Sequence, residues 1–173
     1  PATRAELKGI LDSGDTEELT ERMGATLQFG TAGLRGRVEA GSNRMNRATV
    51  IRATKGLADY LIAATGTDQG PVIVGRDARL SSATFMDDTI AVLVAAGFKV
   101  RYFADPVPTP LVAYASLHLG GVAAVVVTAS HNPPADNGYK VYLETGSQIV
   151  SPIDAEISAC IERFDPLTVA LAD

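Results

Sequence analysis

The spacing of apolar positions changes along the chain, and each change marks an element. From Thr3 to Gly24 the pattern predicts one or two short helices, with Asp15 and Thr16 as candidate caps and Glu17 and Glu18 suited to a first turn. After Asn46, a good N-cap residue, Val50, Thr54, Leu57 and Leu61 recur at helical spacing. Ile51, Ala58 and Ile62 widen that stripe, and Gly66 closes it. At Val72-Ile73-Val74 the period shortens to a buried strand, which runs straight into Gly75-Arg76-Asp77-Ala78-Arg79. Ser81 and Ser82 can cap a helix reaching Gly97, with Met86, Ile90, Leu93 and Val94 on one face, and a second strand follows near Lys99 to Phe103. Asp105 to Pro110 is a rigid loop in which Thr109 and Pro110 fit an N-cap and N1 pair, opening a helix through Leu119. Gly120-Gly121 ends it, and Val122 to Val127, apolar on both faces, reads as a central strand. Asn137-Gly138 predicts a tight turn into the alternating strand Tyr139 to Leu143, and Ser151-Pro152-Ile153-Asp154 opens a last helix to Phe164.

Strands alternating with helices imply right-handed crossovers and an α/β fold: a three-layer domain with a mainly parallel (mixed) sheet and helices on both faces. Three polar segments, Arg76 to Arg79, Asp105 to Pro110 and Thr128 to Pro133, each follow a predicted strand directly. The topology gathers them on the carboxyl rim, where open α/β sheets place their sites.

Composition narrows the class. Of 173 residues, 46% are hydrophobic and 20% charged, which suits a packed core and excludes wholesale disorder. No apolar run approaches the ~20 residues of a membrane-spanning helix. A single cysteine, Cys160, allows no internal disulfide, and no signal-like stretch follows Pro1, so the expected location is the cytoplasm. Cys160 itself reads as a core residue of the last helix. The net charge of −5 and 6% aromatic content argue against a nucleic-acid binder. A few converging cations could still bind a small anion.

The richest segment is Thr128-Ala129-Ser130-His131-Asn132-Pro133-Pro134-Ala135-Asp136-Asn137-Gly138-Tyr139-Lys140. It sets a serine at a strand tip beside a histidine, stiffens the loop with two prolines and returns a lysine. A held hydroxyl with cations around it suits phosphoryl transfer, which asks a protein mainly for positioning and charge. Upstream, Phe29-Gly30-Thr31-Ala32-Gly33-Leu34-Arg35-Gly36 looks like a chain bending tightly around something. Arg76 and Asp77 read as a pair bracing the rim, Thr109 as a cap and Arg37 as a surface charge.

The string Thr-Ala-Ser-His-Asn-Pro followed by Asn-Gly-Tyr-Lys resembles the active-site serine loop of the α-D-phosphohexomutases, the phosphoglucomutase and phosphomannomutase superfamily. Phe29 to Gly36 resembles that family's amino-terminal motif, with Gly75-Arg76-Asp77 and Pro108-Thr109-Pro110 in the expected order between the two. The likeness runs from Leu27 to Phe164 and corresponds to the first of the family's four domains. It implies an N-terminal helical extension over 1–25, the serine-bearing domain I over 26–165, and the start of a linker to downstream domains over 166–173.

The resemblance further implies a phosphosugar mutase that moves phosphate between C1 and C6 of a hexose through a phosphoserine at Ser130 and a bisphosphorylated intermediate. Lys140 matches a general acid/base, Arg35 a cation beside the transferring phosphoryl, and His131 a residue adjoining that site. Arg35 and Lys140 are also the implied phosphate-binding residues. Mg²⁺ is the implied cofactor, held through the Ser130 phosphate, with glucose 1,6-bisphosphate or a similar compound as activator. The implied partners are a hexose or pentose monophosphate and the downstream domains, with neither nucleic acid nor membrane. The family's Asp-Gly-Asp metal loop, sugar-recognition loop and final phosphate loop do not occur in these residues. The expectation is therefore a serine-bearing fragment that is inactive alone; the alternative is a non-catalytic sugar-phosphate-binding or interaction module. A serine hydrolase is disfavoured, because Ser130 lacks the Gly-x-Ser-x-Gly setting.

Overall fold

The computed structural model describes residues 2–31 and 33–172, so Pro1, Asp173 and Ala32 of the glycine-rich stretch lie outside the described residues. In chain order the elements are α1 (Ala2–Ser13), α2 (Thr16–Met23), β1 (Leu34–Arg37), α3 (Arg47–Thr65), β2 (Val72–Arg76), α4 (Ser82–Ala95), β3 (Val100–Tyr102), α5 (Thr109–His118), β4 (Ala123–Val127), β5 (Asp136–Leu143) and α6 (Ile153–Ile161), with a short 3₁₀ turn over Pro166–Thr168. Asp15 and Asn46 cap α2 and α3 through their side chains, accepting from the Glu18 and Thr49 amides. Thr109 does not cap α5: it is already helical, the capping position falls to Pro108, and no side chain closes the first turn. Ser81 holds the capping position of α4 without a capping bond, because its hydroxyl faces Asn137 instead.

The five strands form one mixed sheet in the order β1-β5-β4-β2-β3. β2 pairs in parallel with β3 and β4, whereas β5 runs antiparallel to both β4 and β1, so four strands share one direction. Period-two alternation sends the two faces of β4 into different cores. Val125 and Val127 join Tyr139, Val141 and residues of α3, α4 and α6, while Ala124 and Val126 meet Ile73, Val112 and Ala115 under α5. Helices therefore cover both faces, in three layers.

On α3 the buried stripe is Val50, Ala53, Thr54, Leu57, Ala58 and Leu61, but Ile62 is exposed. Val94 on α4 is likewise exposed, and Cys160 on α6 is half-buried, short of the core. Tyr139 is fully buried with its hydroxyl 3.0 Å from Thr54 Oγ1, and burial pushes its phenol well above the ordinary value. Asp88, buried within α4, is paired with Arg47 at 2.7 Å. The two N-terminal helices are tied to the segment before α3 by charge: Arg22 meets Glu6, Glu18 and Glu39, and Arg44 meets Glu21 and Glu39.

Near the sheet edge one sequence expectation fails and another holds only in part. Asn137-Gly138 is not a turn but lies inside β5, where Asn137 pairs with Gly36 and Gly138 with Arg35. The Asn137 side chain is buried and donates to Ser81 and Ser82 hydroxyls, so its polarity is consumed inside the fold. The glycine-rich stretch bends only at Gly30 to Gly33, whose backbones bond each other at 3.1 and 2.7 Å; Leu34 to Arg37 then straightens into the edge strand β1. Gly33 has φ +75, and a Cβ there would sit 1.9 Å from the Tyr139 carbonyl oxygen, so no other residue fits.

Candidate active site

β4 ends at Val127, and the chain turns over Ala129 to Asn132, closed by Asn132 N–H to the Ala129 carbonyl at 3.1 Å. Ser130, the second residue of that turn, has φ +57, the only described non-glycine residue in the left-handed region. An L-residue there costs about 1–2 kcal/mol, so the surroundings must hold it. Its amide donates to Thr128 Oγ1 at 2.9 Å, and Thr128 Oγ1 donates to Asp77 Oδ2 at 2.7 Å. Its carbonyl accepts from Arg79 Nη2 at 3.1 Å. The side chain is exposed, and its hydroxyl lies 3.5 Å from His131 Nδ1.

Arg79 carries most of this loop. Its five N–H donors all find acceptors: Nε meets Asp77 Oδ2 at 3.1 Å, Nη1 meets the carbonyls of Pro133 and Asp136 at 2.6 and 2.9 Å, and Nη2 meets those of Ser130 and Asn132 at 3.1 and 2.8 Å. The guanidinium side chain is 14% exposed. Asp77 in turn accepts from Ser82, Thr128 and the Arg79 amide. Burial works to raise the Asp77 pKa, but the Ser82, Arg79-amide and Thr128 hydrogen bonds and the Arg79 charge outweigh it, and the net shift is downward.

The expected Arg76–Asp77 pair does not form. Arg76 donates to the Asp77 and Ala104 carbonyls, and Asp77 takes Arg79 as its ion-pair partner. The three rim segments do meet, since Val107 N–H bonds the Arg76 carbonyl and Arg79 reaches the serine loop.

Arg35 and Lys140 arrive from the sheet edge. Arg35 lies opposite Gly138, and Lys140 lies two residues beyond Gly138, so both project from the same sheet face as diagonal neighbours. Both are half-buried. Arg35 Nη1 donates to Asn132 Oδ1 at 3.0 Å, and Asn132 Nδ2 donates to Asp136 Oδ2 at 2.9 Å, which ties the arginine to the serine loop. Burial, aided by the Arg35 charge, lowers the Lys140 pKa. Arg37 is exposed near Glu39, as a surface charge should be.

Such a site presents an exposed hydroxyl on a firmly held backbone, with an arginine and a lysine of depressed basicity on the adjoining face. For a divalent cation it offers little: among the described residues no three His, Cys, Asp or Glu side chains converge. With no such cluster beside Ser130, these residues alone do not complete a Mg²⁺ site. Sequence reasoning missed Arg79, Thr128 and Asn132 as loop holders. The available signal was the Asp-x-Arg spacing directly after a strand, where an aspartate bonds the backbone two residues on.

No helix of the described residues is long and apolar enough to cross a membrane. Residues 26–167 match the family model described as phosphoglucomutase/phosphomannomutase, alpha/beta/alpha domain I. The chain is 44% identical over 168 residues to a probable phosphoribomutase of Schizosaccharomyces pombe, covering 96% of this chain and 29% of that protein. It is 44% identical over 170 residues to the glucose 1,6-bisphosphate synthase of Mus musculus, covering 94% of this chain and 27% of that protein. The chain thus spans under a third of these relatives. Among solved structures, a putative phosphomannomutase from Thermus thermophilus superposes with a TM-score of 0.76 at 30% identity, over 86% of this chain and 32% of that one. A five-stranded mixed sheet ending in a held serine loop, and a family match over most of the chain, lead to one conclusion: this chain belongs to the phosphoglucomutase/phosphomannomutase family, as its α/β/α domain I.

Proposed function

We propose that this chain is the serine-bearing domain of a phosphosugar mutase. The observation that supports the reading best is the convergence of Arg35 and Lys140, from two strands, beside a loop that fixes Ser130. In the resting enzyme Ser130 Oγ carries a phosphoryl group. A hydroxyl of the sugar monophosphate attacks phosphorus, the bond from phosphorus to Ser130 Oγ breaks, and the bisphosphorylated sugar forms. After the sugar turns around, Ser130 Oγ attacks its other phosphorus, the bond from that phosphorus to the sugar oxygen breaks, and the phosphoserine is restored as the isomeric monophosphate leaves. Lys140, made less basic by burial and by Arg35, takes the attacking hydroxyl's proton when neutral and returns one to the leaving oxygen. Arg35 faces the charge that spreads over the phosphoryl oxygens. His131 adjoins the serine and shapes its approach.

The substrate class is a hexose or pentose monophosphate; the names phosphoribomutase and glucose 1,6-bisphosphate synthase among the relatives support both rings. A sugar bisphosphate would load Ser130, and carboxylates from outside these residues would complete any Mg²⁺ site on its phosphate. Downstream domains of the same protein supply sugar recognition, so the 173-residue chain alone does not turn over sugar phosphate.

The test is Ser130→Ala in the intact protein. Turnover is expected to vanish with the fold kept, and mass spectrometry of the resting wild-type protein is expected to map phosphate to Ser130. Wild-type turnover by the variant with glucose 1,6-bisphosphate supplied would overturn the assignment. Sugar-phosphate binding without any turnover by the wild type would favour the non-catalytic module instead.

A further inference from the structure

Loop residues that point a nucleophile outward need their backbone held from behind, and here the hold is unusually complete. All five donors of one guanidinium are spent on Asp77 and on four carbonyls of a single loop, those of Ser130, Asn132, Pro133 and Asp136. The same Asp77 reaches the Ser130 amide through the Thr128 hydroxyl. Ser130 is therefore gripped at both its N–H and its C=O by one ion pair, while its exposed hydroxyl approaches His131 Nδ1 at 3.5 Å.

We propose that Asp77 and Arg79 are positioning residues for the Ser130 phosphoryl carrier: through Thr128 and the loop carbonyls they hold Ser130 in its left-handed conformation and so aim Oγ at the substrate. The inference rests on the phosphoserine reading above. Neither residue needs to touch the sugar phosphate. Asp77 and Arg79 follow β2, Ser130 follows β4, and β2 and β4 are direct neighbours, so two strand ends of one parallel pair are cross-braced. Lysine could keep the ion pair but not the planar fork that spans four carbonyls. Lost aim costs rate rather than affinity, because the misplaced group is the one whose bond is being made and broken.

The test compares Thr128→Val with Thr128→Ser in the intact enzyme. Thr128→Val removes only the hydroxyl that links Asp77 to the Ser130 amide, and kcat is expected to fall by about 10- to 100-fold with KM unchanged. Thr128→Ser restores the hydroxyl and is expected to restore kcat. Arg79→Lys is expected to lose at least as much, and where it fails to fold the threonine pair decides the matter. A second readout does not depend on turnover: hydrogen exchange at the Ser130 amide is expected to quicken about tenfold in Thr128→Val and to return in Thr128→Ser. Full kcat in a folded Thr128→Val, a loss confined to KM, or unaltered amide exchange each overturns the positioning role. Should Ser130→Ala retain turnover, the phosphoserine reading falls, and the exchange result alone decides whether the pair holds the loop.

Discussion

Arg35 and Asn132 meet at 3.0 Å although 97 residues separate them. The contact joins the edge strand β1 to the turn that carries Ser130, and it places a fixed positive charge on the sheet face that Lys140 shares. An arginine reached through a strand is better aimed than one on a free loop, since the pairing of β1 with β5 sets its position.

That charge predicts a pH effect. Burial and Arg35 both lower the Lys140 pKa, so removing the guanidinium relieves the smaller of the two causes and lets the pKa rise part of the way back. If neutral Lys140 takes a proton, the pH dependence of kcat/KM in Arg35→Met should show its rising limb displaced to higher pH. Turnover at neutral pH should drop about 10²-fold, as for loss of one donor to developing charge. An undisplaced limb would remove Lys140 from the base role.

Asp77 predicts stability against acid. Its folded pKa lies below the ordinary value of 3.8, so its contribution is present above that value and is lost as pH falls through the folded pKa. Asp77→Asn should therefore melt lower than wild type at neutral pH, by about 2 kcal/mol for hydrogen bonds to a charged group. The gap should close below pH 3.8. Thermal melts of both proteins across that range check it, and a gap independent of pH would mean that the charge on Asp77 is not what stabilises the loop.

Gly138 predicts a steric failure. A Cβ there would lie 2.7 Å from the carbonyl oxygens of both Leu34 and Thr128, and neither backbone can yield without parting β1 or the serine loop from β5. Gly138→Ala is expected to cost about 2–3 kcal/mol in urea denaturation. Because Leu34 precedes Arg35 and Thr128 holds the Ser130 amide, activity should fall further than stability alone explains. An alanine variant as stable as wild type would contradict this close approach.

The same glycine marks where sequence reading runs out. Asn-Gly is a strong turn signal when only local preference is weighed, yet here the pair sits mid-strand because two other backbones approach the glycine and two serines absorb the asparagine amide. Such reasons are tertiary. The strands β2 and β4 and the helices between them were legible from periodicity, since a wholly apolar run such as Ala123 to Val127 has one comfortable place, the centre of a sheet. The edge strand β1 was not, because four residues containing Arg-Gly-Arg carry no alternation. Ser130, Lys140 and Arg35 stood out through their motif. Arg79 did not, because its five partners are an aspartate two residues away and four carbonyls, and a backbone carbonyl leaves no trace in a sequence.

Ser130 itself predicts a trade between stability and chemistry. At φ +57 any residue with a Cβ is strained, and the serine hydroxyl makes no strong bond that would compensate, its nearest polar neighbour being His131 Nδ1 at 3.5 Å. Glycine visits this region freely, although it also gains entropy in the unfolded chain, so the two effects partly offset. Alanine keeps the strain and lacks the hydroxyl. Ser130→Gly should therefore be more stable than Ser130→Ala by about 1 kcal/mol, with both variants devoid of phosphoryl transfer. Paired denaturation curves measure the difference. An alanine variant more stable than the glycine variant would show that residue 130 leaves the left-handed region once the hydroxyl is gone, and that the grip on its amide and carbonyl is weaker than the hydrogen bonds suggest.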